Sequence, residues 1–100
     1  MNLLLNKQNT MDAFDRIASR TPDQTRRLIN KMLDVADRIH AILEQKGMSQ
    51  KDLAVALYKS ESEISKWVSG THNLELKTII RIEEALGEDI LTVPKPRAMA

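Results

Sequence analysis

The apolar residues of this sequence recur three or four positions apart, which is the spacing of one face of an α-helix. The longest series consists of Leu28, Met32, Val35, Ile39, Ile42 and Leu43, widened by Ala36. Thr21 followed by Pro22 is typical of a helix start, and Gly47 is typical of a helix end. The pattern predicts one long helix over residues 22–46.

Two short helices are predicted next, separated by a turn of about three residues. Ser49 with Asp52, and Ser60 with Glu63, each have the serine-x-x-acid spacing of a capping box. The apolar faces after these caps are Leu53, Ala54 and Leu57 in one helix, and Ile64, Trp67 and Val68 in the other. Gly70 is expected to end the second of them.

A fourth helix is predicted from Leu76 to Leu86, where its apolar positions include Ile79 and Ile80. The Pro-Lys-Pro-Arg segment at 94–97 cannot continue a helix. The chain is therefore divided into three parts. An N-terminal extension, partly flexible, covers residues 1–21, a helical domain covers 22–93, and an extended tail covers 94–100.

Composition agrees with an all-helical fold. Three Gly and three Pro are too few for a turn-rich sandwich or barrel, and only 3% of the residues are aromatic, so the core must be aliphatic. The absence of cysteine excludes disulfides, thiolate metal sites and a cysteine nucleophile.

No stretch approaches the ~20 apolar residues of a membrane span. The leucine run at 3–5 is too short for a signal peptide, so we expect a cytoplasmic protein.

Enzymatic interpretations are not supported. His40 and His72 lie far apart in sequence, and no nucleophile elbow or glycine-rich phosphate loop is present. Glu83 and Glu84 are expected on a solvated helix face. We predict no catalytic residues, no metal site and no cofactor.

The net charge of +1 does not by itself indicate a nucleic-acid partner. The arrangement of the helices does indicate such a partner. Two short helices joined by a tight turn cross steeply, and the second then projects its first turn outward. A helix presented in this way fits the major groove of duplex DNA.

The stretch from Met48 to Leu91 resembles the Xre-type helix-turn-helix of lambdoid phage repressors, which many bacterial regulators and some antitoxins share. The resemblance rests on SQKDLA at 49–54, SESEISKW at 60–67 and ALG at 85–87. It implies an all-α, lambda-repressor-like domain of four or five helices with an N-terminal helical extension. Tyr58 stands where the turn of this family often has Gly, so the turn must accept a side chain there.

The resemblance implies DNA contacts in three groups. Gln50 opens the second helix, where the family contacts phosphate, and Lys59 in the turn is a further phosphate contact. The reading helix, 61–69, presents a lysine for guanine, a glutamate for cytosine and serines for base or phosphate. The predicted DNA-binding residues are Gln50, Lys59, Ser60, Glu61, Ser62, Ser65, Lys66, Thr71, His72 and Asn73.

Several of these residues have a second interpretation. Ser60 also fits a helix cap, and Glu63 fits a cap partner better than a base reader, because phosphates repel anions. His72 fits either a phosphate contact or a solvated loop. Trp67 is expected in the core, and His40 on the helix surface.

The sequence thus predicts a transcriptional regulator, a repressor or an activator, that binds double-stranded DNA sequence-specifically as a homodimer. Candidate dimer residues are Ile90, Leu91 and Val93, or Met11, Phe14 and Ile17. The alternative is a HigA-like antitoxin, whose arginine-rich N-terminal extension binds a toxin protein while the helix-turn-helix either autoregulates its promoter or has lost DNA binding.

Overall fold

The computed structural model describes the backbone of residues 2–96 and the side chains of residues 22–96. Its elements are four helices, α1 (Asn2–Lys46), α2 (Gln50–Leu57), α3 (Glu61–Trp67) and α4 (Leu76–Leu86). No strand occurs within that range. The prediction of an all-α, lambda-repressor-like domain with a helical N-terminal extension is confirmed. No helix among the described residues is long and apolar enough to cross a membrane.

Helix α1 runs through Pro22, so the prediction that this helix begins there is wrong. Proline has no N–H to donate to the carbonyl four residues earlier, but its fixed φ is helical. Helical apolar spacing is present on both sides of the proline, at Met11, Phe14 and Ala18 before it and from Leu28 after it. The local start signal at Thr21 is therefore overridden by helix-forming sequence on either side.

The chain divides into two compact units, residues 1–30 and residues 31–100. In the first unit, every side chain described, from 22 to 30, is exposed. Arg26 Nη1 lies 3.9 Å from Asp23 Oδ1, which is an ion pair between residues about one helical turn apart. Because both side chains are about 70% exposed, the pair contributes well under ~1 kcal/mol.

The core of the second unit is aliphatic and draws on all four helices. Its buried residues are Ala36, Ile39, Ile42, Leu43, Leu53, Ala54, Leu57, Ile64, Val68, Ile79, Ile82 and Leu86. Burying each of the larger side chains stabilises the fold by about 1.5–3 kcal/mol. The predicted inward faces of α1, α2 and α3 are confirmed, although Leu28 at the start of the α1 series is exposed.

The apolar face of α4 differs from the predicted one. Ile82 is fully buried, whereas Leu76 and Ile80 are exposed. Glu83 is also not simply solvated, because its Oε2 accepts hydrogen bonds from the N–H groups of Ile90 (2.7 Å) and Leu91 (3.0 Å). The carboxylate therefore holds the chain as it leaves α4.

Candidate nucleic-acid interface

Helix α2 begins with the capping box that the sequence predicts. Ser49 Oγ accepts from the Asp52 N–H at 3.0 Å, and Asp52 Oδ2 accepts from the Ser49 N–H at 2.9 Å. The backbone hydrogen bond from Ser49, followed by the side-chain hydrogen bond with Ser49, lowers the pKa of the Asp52 carboxyl. Gln50 is the first residue of this helix and is half-buried. Its position at the helix N-terminus suits an anionic ligand.

Three residues connect α2 to α3, as the sequence predicts. Tyr58 is left-handed, with φ 56° and ψ 43°, and it is the one non-glycine residue with positive φ in the described chain. Its N–H bonds to the carbonyls of Ala54 and Val55, and its side chain is 94% exposed. The expectation that this turn accepts a side chain in place of glycine is confirmed. The left-handed backbone of a non-glycine residue costs about 1–2 kcal/mol of conformational free energy.

Helix α3 is capped by Ser60, whose Oγ accepts from the Glu63 N–H at 3.1 Å. The predicted capping box is only half formed, because the Glu63 carboxylate lies 3.8 Å from Lys59 Nζ instead. Opposite charges four residues apart attract, and here that attraction replaces the reciprocal cap bond. Glu63 is thus the partner of a lysine.

Lys59 has a second internal contact. Its ammonium lies 5.9 Å from the centroid of the Trp67 ring, within range of a cation–π interaction. The side chain of Lys59 is 32% exposed. A phosphate contact by Lys59 would therefore compete with the carboxylate of Glu63 and with this ring.

The two faces of α3 differ sharply. Ile64 and Val68 are buried and Trp67 is half-buried against the core. The opposite face is exposed and consists of Glu61, Ser62, Ser65 and Lys66. Positions i, i+1, i+4 and i+5 share one side of a helix. The structure therefore brings these four predicted residues onto a single solvent-facing surface, which we call the α3 face.

Helix α3 ends at Trp67, two residues earlier than the predicted end at 69. The Val68 N–H bonds to the carbonyls of both Ile64 and Lys66. Ser69 Oγ donates to the Lys66 carbonyl at 2.8 Å and lies 2.9 Å from Thr71 Oγ1. Ser69, which sequence reasoning did not single out, thus orders the start of the following loop.

The loop after α3 contains the last three predicted contacts. Thr71 and Asn73 are exposed, whereas His72 is half-buried. Gly70, with φ +87°, turns the chain into this loop. The hydroxyl and amide groups of Thr71 and Asn73 are therefore available to a ligand from solvent.

His40 on α1 was expected on the helix surface, and it is exposed, but it also makes a long-range bond. Its Nε2 donates to the carbonyl of Val68 at 2.8 Å, across 28 residues of sequence. No local sequence signal indicates this contact, because it depends on how α1 packs beside the end of α3.

The α3 face presents side chains that donate and accept hydrogen bonds. It presents one carboxylate, one ammonium and two hydroxyls, and the nearby Glu63 is paired with Lys59. Such groups match the donors and acceptors of base edges. Among the described residues, no group of three His, Asp or Glu side chains is placed to hold a metal ion.

Comparison with known proteins identifies this architecture. A helix-turn-helix family profile matches residues 39–92, which contain α2, the turn, α3, the loop and α4. No curated protein and no solved structure matches the chain. The match covers more than half of the sequence and agrees with the two short capped helices described above. The chain belongs to the Xre-type helix-turn-helix family of DNA-binding regulatory domains.

Proposed function

We propose that this protein is a transcriptional regulator that binds double-stranded DNA sequence-specifically, inserting the α3 face into the major groove. The observation that carries the proposal is the division of α3 into a buried aliphatic side and an exposed polar side. Ile64 is fully buried, so the helix is fixed to the core while Glu61, Ser62, Ser65 and Lys66 are exposed to solvent, with Ser62 Oγ 3.2 Å from the capping Ser60 Oγ.

Each residue of the α3 face has a role in this proposal. Lys66 donates to guanine O6 and N7, and Glu61 accepts from cytosine N4. Ser62 and Ser65 reach a base edge or a phosphate. Ser60 acts as the helix cap, since its hydroxyl accepts from the Glu63 N–H.

Phosphate contacts flank the reading helix. Gln50 at the start of α2 offers its amide and the helix N-terminus. Thr71, His72 and Asn73 offer short polar groups on the other side. Lys59 reaches phosphate only by exchanging its internal partners for the anion. These contacts position the protein, and the α3 face supplies the specificity.

The regulator acts as a homodimer in this proposal, because one α3 face offers too few base contacts for strong discrimination. Ile90 is half-buried against the core, whereas Leu91 and Val93 are exposed in the extended segment after it. The latter two remain candidates for the dimer surface. The other candidates, Met11, Phe14 and Ile17, lie outside the residues whose side chains are described.

Selection of the purified protein against random duplex DNA tests the proposal, with Lys66→Ala and Lys31→Ala in parallel. Both variants lose one exposed positive charge, but Lys31 lies on α1. We expect a two-fold symmetric site with half-sites about 34 Å apart. Lys66→Ala should relax the preference at one base pair, because a bidentate contact contributes about 1–3 kcal/mol. Lys31→Ala should select the wild-type site.

The alternative function, that of an antitoxin, has one supporting observation. Leu28 and Ile29 are exposed apolar side chains beside Arg26 and Arg27 in the first unit, a combination that suits a protein partner. If the selection enriches no site even at low salt, where electrostatic binding is strongest, the DNA-reading proposal is overturned. An antitoxin whose helix-turn-helix has lost DNA binding would then be favoured.

A further inference from the structure

The C-terminal end of α3 is held by one face of α1. Leu33 and His40 are seven residues apart on α1, which is two helical turns, so they share that face. His40 Nε2 donates to the Val68 carbonyl at 2.8 Å. A Cβ built on Gly70 would lie 2.8 Å from Leu33 Cδ2 and 3.6 Å from Ala36 Cβ. Residues 68–70 therefore run closely along α1 between these two contacts.

A helix as short as α3 depends on such anchors. It has only seven residues, and isolated helices below ~12 residues are marginal in water. The last carbonyls of a helix lack regular partners from a following turn and depend on the groups around them. Ser69, the local residue, takes the Lys66 carbonyl, whereas the Val68 carbonyl is taken by His40 from another helix.

The bond from His40 differs in kind from the other anchors of α3. Ile64 and Val68 fix the helix by apolar burial, which holds a distance but little direction. A hydrogen bond of 2.8 Å has a preferred angle and weakens steeply away from it. His40 is therefore placed to define the tilt of α3 and the start of the loop at Thr71.

We propose that His40 is a positioning residue for DNA reading, which sets the tilt of the α3 face and so the discrimination between the operator and other DNA. The inference rests on the proposed function. Recognition groups must be held within about 0.5 Å and 10–20° of their productive geometry. Hydrogen bonds to base edges are sensitive to such a tilt, whereas non-specific contacts with the phosphate backbone tolerate it.

Three variants test the role. His40→Gln keeps an amide donor close to the position of Nε2, and His40→Met fills similar space without a donor. Gln45→Met is the control, since Gln45 is an exposed polar residue of the same helix. For each variant, Kd is measured for the selected site and for an unrelated duplex of equal length at the same salt. Partial unfolding lowers both affinities alike, so it leaves their ratio unchanged.

We expect His40→Met to lower the ratio of specific to non-specific affinity about tenfold, of the order expected when one hydrogen bond is lost. His40→Gln should stay within about threefold of the wild-type ratio, and Gln45→Met should equal it. A ratio unchanged in His40→Met would overturn the inference, as would a loss in His40→Gln as large as that in His40→Met.

A second measurement separates this inference from the proposed function. Amide hydrogen exchange in the free protein should be faster at residues 68–71 in His40→Met than in His40→Gln, with exchange in α2 and α4 unchanged. Equal exchange in the two variants would overturn the positioning role. If the wild-type protein selects no DNA site, the proposed function fails and with it the reading role, whatever the exchange shows.

Discussion

Tyr58 has a backbone conformation that favours glycine, at φ 56° and ψ 43°. We expect Tyr58→Gly to raise the free energy of unfolding by about 0.5–1 kcal/mol. Relief of about 1–2 kcal/mol of left-handed strain outweighs the ~0.4–1 kcal/mol entropic cost of the more flexible residue. Little packing is lost, because the side chain is 94% exposed. Urea unfolding measures the change.

Tyr58→Ala is the matched control for that change. It removes the aromatic ring but keeps a Cβ, so the left-handed strain remains and no gain is expected. An equal gain in the alanine and glycine variants would place the cost in the tyrosine side chain and contradict the backbone explanation.

The turn from α3 into its loop depends on Gly70, which has φ +87° and lies against α1. We expect Gly70→Ala to lower the free energy of unfolding by about 1–2 kcal/mol because alanine is strained at a positive φ. The steric clash of the new methyl group with Leu33 should lower it further. Gly47→Ala is the control, since Gly47 has φ +65° with nothing within 4 Å of its built Cβ. Thermal unfolding compares the two variants.

The excess cost of Gly70→Ala over Gly47→Ala should shrink when Leu33→Ala is added, because Leu33 Cδ2 is the nearest atom to the new methyl group. Leu33→Ala alone corrects for the lost leucine in this double-mutant cycle. If the excess persists in the Leu33→Ala background, the steric explanation is wrong and the backbone of the turn carries the whole cost.

The starts of α2 and α3 and the end of α4 could be predicted because they depend on neighbouring residues. Ser49 and Ser60 cap α2 and α3, and Gly87 ends α4, as their sequence positions indicate. The contacts that the sequence did not predict are made by side chains whose partners lie outside the cap and periodicity patterns. Glu83 binds the amides of Ile90 and Leu91. No periodicity or cap signal encodes a contact of this kind.

The candidate site also has a predicted and an unpredicted part. The outward position of the α3 face follows from helical periodicity around Ile64 and was predicted. The internal pairing of Lys59 with Glu63 and Trp67 was not, because the expected capping box competed for the same carboxylate. The bond from His40 to the end of α3 spans 28 residues and likewise needs the fold.

At the scale of the whole molecule, charge is nearly balanced, with 15 basic and 14 acidic residues in 100. We expect DNA binding with a shallow salt dependence, the slope of log K against log salt being no steeper than about −4 for a dimer. Lys66 and Lys59 supply up to two cationic contacts per subunit, and Lys59 is internally paired. Binding isotherms over a series of KCl concentrations give the slope.

Glu63→Gln tests the source of that shallow slope. Removal of the carboxylate 3.8 Å from Lys59 Nζ frees the ammonium for phosphate, so the slope should steepen by about one per subunit. An unchanged slope would show that the Glu63 carboxylate does not limit the contact of Lys59 with phosphate. A wild-type slope much steeper than −4 would assign the main electrostatic contacts to other residues.

Trp67 is the sole tryptophan of the chain, and it lies in α3, half-buried, with the Lys59 ammonium 5.9 Å from its ring. The indole emission of the protein therefore arises entirely from the helix proposed to read DNA. A charge that leaves the ring for a phosphate changes the field at the chromophore, and so its emission wavelength. If Lys59 exchanges the ring for a phosphate in this way, the tryptophan emission reports DNA binding directly, and a titration needs no dye on either the protein or the DNA.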